Sequence, residues 1–329
     1  MSDTTVGGAL PRGDSLRAQL TRHAPVIGLA VALLMAAFLT PEFYSGTNLV
    51  NVLRQAAILG IVAIGQTFVL LTGGIDLSVG GVMGMSMIIA AQVSGGDDSS
   101  LLAAVVLALL MGVVVGCVNA FLVVLRYVPP FVATLATFIL LEGARDAWTR
   151  GIPSGAIPDA LQFLGQKNIA FIPVPAIILL AVGAAGIFAL RRTTYGRSLY
   201  AVGSNSRAAY MSGIRVRLHK SSAYVICSVL AAVAGLVLSG YIGYVDRYLG
   251  QGFELDSIAA SVVGGVSLAG GKGGVGGALA GVGLLAVLTN IVIFLNLGES
   301  AQLFVKGAVI IAAVALQAKR LLTTAPATA

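Results

Sequence analysis

Ten stretches of this sequence, 24–40, 49–72, 76–93, 101–126, 129–147, 172–190, 221–244, 256–270, 274–297 and 300–318, read as crossings of a lipid bilayer. A hydrocarbon core about 30 Å thick takes roughly 20 predominantly apolar residues to cross. One such run is an ordinary core helix in a soluble protein, but nine or ten leave no soluble alternative. Only 10% of the residues are charged and 57% are hydrophobic, where a soluble domain carries about 25% charged residues. The fold class expected is therefore all-α, a polytopic membrane protein of about ten transmembrane helices. The 42 glycines sit largely inside the apolar runs, where small residues let helices approach closely or interrupt them.

Charge placement gives the chain a direction. Between the sixth and seventh spans, residues 191–220 contain Arg191, Arg192, Arg197, Arg207, Arg215, Arg217 and Lys220 and no acidic residue. The positive-inside rule places this loop in the cytoplasm. Counting outward from it also places the N-terminal lead, 1–23, and the tail, 319–329 with Lys319 and Arg320, in the cytoplasm. The loops holding Asp97 and Asp98, and Asp246 and Glu254, fall outside. The net charge of +7 is thus a topology signal, and nucleic-acid binding, which needs a solvent-facing basic surface, is not expected. The first span has no clean cleavage site after it and reads as an uncleaved helix. The membrane domain runs over 24–318, with 191–220 as its large cytoplasmic loop.

The weakest span is 256–270, which is short and glycine-rich. A broken or re-entrant segment is the expectation there, since irregular backbone survives at membrane depth only where it is covered by protein or lines a cavity. Counts of eight or nine spans stay open for that reason. There is also an internal echo: Leu71-Thr-Gly-Gly74 followed by Val79-Gly-Gly81 resembles Leu268-Ala-Gly-Gly271 followed by Val275-Gly-Gly277. Transporters built from repeats place paired glycine-interrupted segments beside the solute route.

Ionisable residues at membrane depth are expensive and should face protein or water; Arg54, Asp76, Glu142, Asp256 and Lys306 are the clearest. Asp76, followed by Ser78 after two glycines, has the pattern of a helix start, where Asp or Ser satisfies free N–H groups. It is also a candidate for the solute path. Gln66, Ser78, Asn119, Thr134 and Asn290 are further path candidates, with interhelical hydrogen bonding as the ordinary alternative. His23 and His219 are the only histidines and both flank spans, which weakens a proton-relay reading. Cys117 and Cys227 have no metal spacing and no disulfide framework is expected. No paired carboxylates, nucleophile–base set or metal cluster points to catalysis, so no catalytic residue and no metal is assigned.

No G-x-x-x-x-G-K-[ST] phosphate loop is present; Gly270-Gly-Lys-Gly-Gly274 lacks the Ser or Thr after Lys that would hold magnesium. If ATP drives this protein, another chain binds it. The basic loop offers a surface for such a chain. Thr194–Arg197 contains a turn signal and Ala201–Asn205 reads as loop. Ser206 through Ser212 can form a short helix capped by Asn205 or Ser206 and closed by Gly213.

Five segments carry a family resemblance. Gly65-Gln-Thr-Phe-Val-Leu-Leu-Thr-Gly-Gly-Ile-Asp-Leu-Ser-Val-Gly80, Val128-Pro-Pro-Phe-Val-Ala-Thr-Leu135 and Thr194-Tyr-Gly-Arg-Ser-Leu-Tyr-Ala-Val-Gly-Ser-Asn205 are three of them. Phe253-Glu-Leu-Asp-Ser-Ile-Ala-Ala260 and Gly264-Gly-Val-Ser-Leu-Ala-Gly-Gly-Lys-Gly273 complete the set. In this order they resemble the permease subunits of ribose/xylose-type ABC sugar importers. The resemblance implies the ABC importer permease fold in a bacterial inner membrane, with a second permease copy around a central path. It implies cytoplasmic ATP-binding subunits that hold ATP and Mg, an extracytoplasmic sugar-binding protein, and no cofactor on this chain. It makes the loop after the sixth span similar to a coupling helix, with Gly196, Arg197, Ala208, Ser212 and Gly213 as docking candidates. After Asn205 the family usually has acidic residues where Ser206 and Arg207 stand here, a difference that points to a dedicated ATPase partner. The implied solute is a monosaccharide or related small polyol. The competing reading is a self-sufficient secondary transporter or channel.

Overall fold

The computed structural model describes residues 12–39, 41–246 and 248–324; residues 1–11 of the lead and 325–329 of the tail lie outside the described residues. The helices are α1 Arg12–Leu39, α2 Gly46–Leu71, α3 Val79–Ser94, α4 Leu101–Ala120, α5 Pro130–Thr149, α6 Asp159–Gln166, α7 Val174–Arg192, α8 Thr194–Ser204, α9 Ser206–Met211, α10 Val216–Ile242, α11 Phe253–Val263, α12 Val275–Phe294 and α13 Glu299–Thr324. A two-residue hairpin, β1 Asn168–Ile169 with β2 Ile172–Pro173, is the one sheet among the described residues. Five segments are long and apolar enough to cross a bilayer by length and composition: Gly46–Leu71, Asp98–Leu125, Val174–Arg192, Val216–Ile242 and Val275–Phe294. The chain is an all-α membrane protein.

Helix ends follow local chemistry. Ser45 caps α2 by accepting from Asn48 N–H, and α5 opens on Pro130, where the missing N–H costs nothing. Gly95 and Gly243 close α3 and α10 in the left-handed conformation, at φ 59° and 80°. A π turn over Phe121–Leu125 ends α4 ahead of the Pro129-Pro130 pair.

α10 is the hub, packed against α2, α3, α4 and α6. Its buried face is Tyr224, Cys227, Ser228, Ala231, Ala232 and Gly235. Lipid tails are as apolar as leucine, so such contacts rest on close van der Waals fit rather than on hydrophobic expulsion. The fit is tight: a methyl group at Gly235 would lie 2.6 Å from Met83 O, and one at Gly116 would lie 2.6 Å from Val225 Cα. Around this hub, α7 and α11 cover α2, α5 covers α3, and α1 packs on α12.

Two helices that fall within expected spans are short. α3 has 16 residues and α11 has 11, which at 1.5 Å per residue reach only about 24 and 16 Å. Each adjoins an irregular glycine-rich segment, 72–78 before α3 and 264–274 after α11. The weak span 256–270 is thus helical only as far as Val263. The two segments meet: Gly271 N–H donates to Leu71 O at 3.0 Å, and a Cβ at Gly270 would sit 2.9 Å from Gly73 N. These are the echoed sequences, and α3 and α12 both begin at the valine of the repeated Val-Gly-Gly.

One loop reading is corrected. Residues 194–204, read as turn and loop, form helix α8, capped by Thr193 Oγ1 accepting from Gly196 N–H at 3.2 Å. Its glycines are there for contact rather than for turning: Gly196 lies against Leu190 O and Gly203 against Leu71 O. The connection after α5 contains α6 and the hairpin.

Replacing Gly116 with Leu should separate α4 from α10 and cost about 1–3 kcal/mol. Thermal unfolding of the detergent-solubilised protein should show a lowered midpoint for this variant. Val114→Leu on the exposed side of α4 should leave it unchanged.

Candidate functional site

The interrupted segment before α3 is held by a continuous hydrogen-bond network. Asp76, fully buried, accepts at Oδ1 from Ser78 N–H (2.9 Å) and from Ser78 Oγ (2.6 Å). This is the local turn that short polar side chains make just ahead of a helix. Asn119 of α4 donates through Nδ2 to Ser78 Oγ (2.8 Å), and Thr137 of α5 donates to Asn119 Oδ1 (2.8 Å). Thr134 of α5 accepts from Leu77 N–H at 3.0 Å. From the other side, the Gln66 amide pairs with the backbone of Asp76, donating to its carbonyl (3.1 Å) and accepting from its N–H (3.2 Å).

Five of the six candidate path residues, Gln66, Asp76, Ser78, Asn119 and Thr134, therefore come together, all fully buried. Gln66, Asp76 and Thr134 satisfy backbone groups that have no water to turn to, and Ser78 and Asn119 tie those side chains together. Asp76 Oδ2, Tyr224 OH and Ser228 Oγ are buried nearby without a hydrogen-bond partner. The sixth, Asn290, stands apart and exchanges two 3.0 Å amide hydrogen bonds with Asn48 at the start of α2. Thr137 and Tyr224 are absent from the sequence-based candidates, and Cys227 figures there only as a cysteine without metal or disulfide spacing. The i, i+3 spacing of Thr134 with Thr137 and of Tyr224 with Cys227, which puts each pair on one helix face, is the signal that would have found them.

The other ionisable residues at depth also have partners. Lys306 Nζ lies 2.6 Å from Asp256 Oδ2, and Glu142 pairs with Arg145 at 3.2 Å and accepts from Gln251 at 2.5 Å. Arg54 donates to Asn51 Oδ1, Asn168 Oδ1 and Gln166 O. No group of three metal-ligating side chains occurs among the described residues. The arrangement can hold or release backbone; it has no group placed to break a covalent bond.

At the end of the bundle where the basic loop lies, α8 bears on both interrupted segments. Gly203 packs against Leu71 O and Gly271 N, Ser204 against Gly271, and Tyr200 OH donates to Gly273 O at 2.8 Å. Tyr195 bonds Ser222 Oγ at 2.8 Å and stacks on His219 of α10 at 5.4 Å. Burial pushes both phenols above their ordinary value, so these contacts keep their protons through neutral pH.

α9 follows at once. Asn205 Oδ1 accepts from Arg207 and Ala208 N–H, both at 3.0 Å, and Gly213 closes the turn at φ 80°. Of the docking candidates, Arg197, Ala208, Ser212 and Gly213 are exposed while Gly196 is buried against the end of α7. Tyr210 and Met211, not singled out in the sequence, are 71% and 80% exposed.

Residues 48–314 match the family described as branched-chain amino acid transport system / permease component. The chain belongs to this family of membrane transport permeases and is a transport subunit rather than an enzyme. It is 38% identical to the ribose import permease protein of Bacillus subtilis over 92% of this chain and 94% of that one. It is 36% identical to the ribose import permease protein of Escherichia coli over 97% and 100%. With the xylose transport system permease protein of Haemophilus influenzae it shares 30% over 87% and 93%. No solved structure matches the chain.

Asn119→Leu should remove the hydrogen bonds that Asn119 makes to Ser78 Oγ and Thr137 Oγ1 and so untie α4 from the turn and from α5, costing about 1–3 kcal/mol. Thermal unfolding of the purified permease should report it, and Asn119→Gln should cost less because it keeps an amide.

Proposed function

We propose that this chain is the membrane-spanning subunit of an ATP-driven importer of a monosaccharide or related small polyol in a bacterial inner membrane. It works with a second permease copy, cytoplasmic ATP-binding subunits that carry ATP and Mg, and an extracytoplasmic sugar-binding protein. Its similarity to two ribose import permeases over more than nine-tenths of its length supports the solute class. On this reading the ten helix-bearing stretches cross or enter the membrane, both termini are cytoplasmic, and lipid surrounds the bundle.

The observation that carries the mechanism is the seating of α8. α9, presented by Arg197, Ala208, Ser212 and Gly213 with exposed Tyr210 and Met211, is the knob a nucleotide-binding subunit grips. Gly196 lets α8 lie against the end of α7. A shift of α9 is passed through α8 to segment 264–274 and to the end of α2 at Leu71, and from there to segment 72–78, which meets 264–274 at Gly73 and Gly270. ATP supplies the differential binding to two states that such a shift requires. Gln66, Asp76, Ser78, Asn119 and Thr134 act on the path by holding the first segment rather than by touching solute, and Asn290 steadies the far end through Asn48.

Reconstitution tests this. Vesicles with the complete importer should take up D-ribose or D-xylose only with ATP and binding protein, whereas this chain alone under an ion gradient should take up neither. Uptake by the chain alone would favour a secondary transporter. Gly203→Val should push α8 off both segments. Uptake should then fall about tenfold, the effect of roughly 1.4 kcal/mol, while ATP hydrolysis by the complex persists.

A further inference from the structure

We infer that the outer half of α2 lines a water-filled vestibule which receives an uncharged polyhydroxylated solute before it enters the closed part of the path. This rests on the importer reading and on its orientation, which puts the start of α2 and the hairpin on the extracytoplasmic side. Three observations carry it.

The first is a cavity of about 710 Å³ between the first turns of α2 and the hairpin, in which Thr47, Asn51, Arg54 and Asn168 stand on a wall otherwise made largely by Leu49, Val50, Leu53 and Phe171. The second is the row that Thr47 and Asn51 of the cavity wall form with Gln55, one turn further along α2 and outside the lining. Thr47, Asn51 and Gln55 follow one another at i, i+4 and i+8, with Arg54 beside them, so one helix face is polar. Thr47 and Gln55 are exposed and Asn51 is half-buried. Gln55 lies nine residues beyond the start of α2, about 13 Å along the axis, deeper than a headgroup position. The exposed side of α4 shows what a lipid-facing surface looks like in this molecule: Leu102, Leu107, Leu110, Val114 and Phe121, all apolar. A polar face at comparable depth is costly against hydrocarbon and cheap against water.

The third observation is how Arg54 is held. Its guanidinium donates to Asn51 Oδ1 (3.3 Å), Asn168 Oδ1 (2.9 Å) and Gln166 O. These acceptors are all neutral, so its charge is not cancelled and repels cations. Three of its five N–H groups go to protein acceptors and Nε is buried, so a single N–H on Nη1 is left, too few for bidentate capture of a phosphate or carboxylate. What remains for a ligand is hydroxyl chemistry: the amide N–H groups of Asn51 and Asn168, whose oxygens face Arg54, and the Thr47 hydroxyl. Phe171, 91% exposed at the hairpin tip, offers an apolar plate for the C–H face of a sugar ring. A few polar groups on an apolar wall is the usual make-up of a small-molecule site.

The test uses the complete importer with Cys117→Ser and Cys227→Ala, carrying Asn51→Cys, Gln55→Cys or, as lipid-facing controls, Leu110→Cys and Val114→Cys. Membrane-impermeant methanethiosulfonates, one anionic and one cationic, are added from the extracytoplasmic side. Asn51→Cys and Gln55→Cys should be modified and the two controls should not. The anionic reagent should react about fivefold faster at Asn51→Cys, the bias a unit charge roughly 8 Å away exerts in a water-like medium, and Arg54→Gln should abolish that ratio. D-ribose or D-xylose, delivered by the binding protein, should slow modification. Failure to modify either position would mean lipid or protein covers this face and would overturn the inference. Modification without charge bias or sugar protection would reduce the cavity to a surface crevice and overturn it equally. Loss of ATP-driven uptake in the unsubstituted importer would instead sink the importer reading beneath it.

Discussion

The contact on which the rest of this structure depends is the meeting of two glycine-rich interruptions under α8. Gly271 N–H bonds Leu71 O at 3.0 Å, and Gly203 packs against both of those backbone groups. Backbone outside a helix at membrane depth needs partners for every N–H and C=O. Here each interruption supplies part of the other's surroundings, and α8 closes the arrangement from the basic end. Side chains are excluded by space: a Cβ at Gly203 or Gly271 would run into neighbouring backbone or Ser204. That is why a helix in the basic loop carries glycines that otherwise read as breakers.

From this contact the polar network follows. Once α2 stops at Leu71, the seven residues up to Val79 have lost their helical hydrogen bonds, and Gln66, Thr134 and Asp76 itself replace part of them. The network spans α2, α4 and α5, so the start of α3 is fixed relative to three helices at once. A buried network of this kind is either nearly complete or unstable. The unpartnered Asp76 Oδ2, Tyr224 OH and Ser228 Oγ mark where it is least complete.

Much of this was legible in the sequence. Apolar length pointed to the class of protein, because the bilayer imposes that feature on any chain that crosses it. The repeated Leu-x-Gly-Gly and Val-Gly-Gly pointed at two interruptions, which are in contact. The Asn205 cap and the Gly213 close of α9 were readable because capping is local. α8 was not, because Gly196 and Gly203 are chosen by tertiary contact and local propensity argues against a helix there. The grouping of Gln66 with Asp76, Asn119 and Thr134 was also hidden, since four elements converge on it. The polar row on α2 emerges only when Arg54 is taken together with Asn51 and Gln55 on the same helix face.

The central claim is that α8 and both interruptions move as one body when the nucleotide-binding partner acts on α9. Spin labels at Ser212 and Lys272, and at Lys272 and Gln251, in the complete importer measure this by pulsed dipolar spectroscopy with and without trapped ATP. The account predicts an unchanged Ser212–Lys272 distance and a shifted Lys272–Gln251 distance between the two states. A changing Ser212–Lys272 distance with Lys272–Gln251 fixed would contradict it.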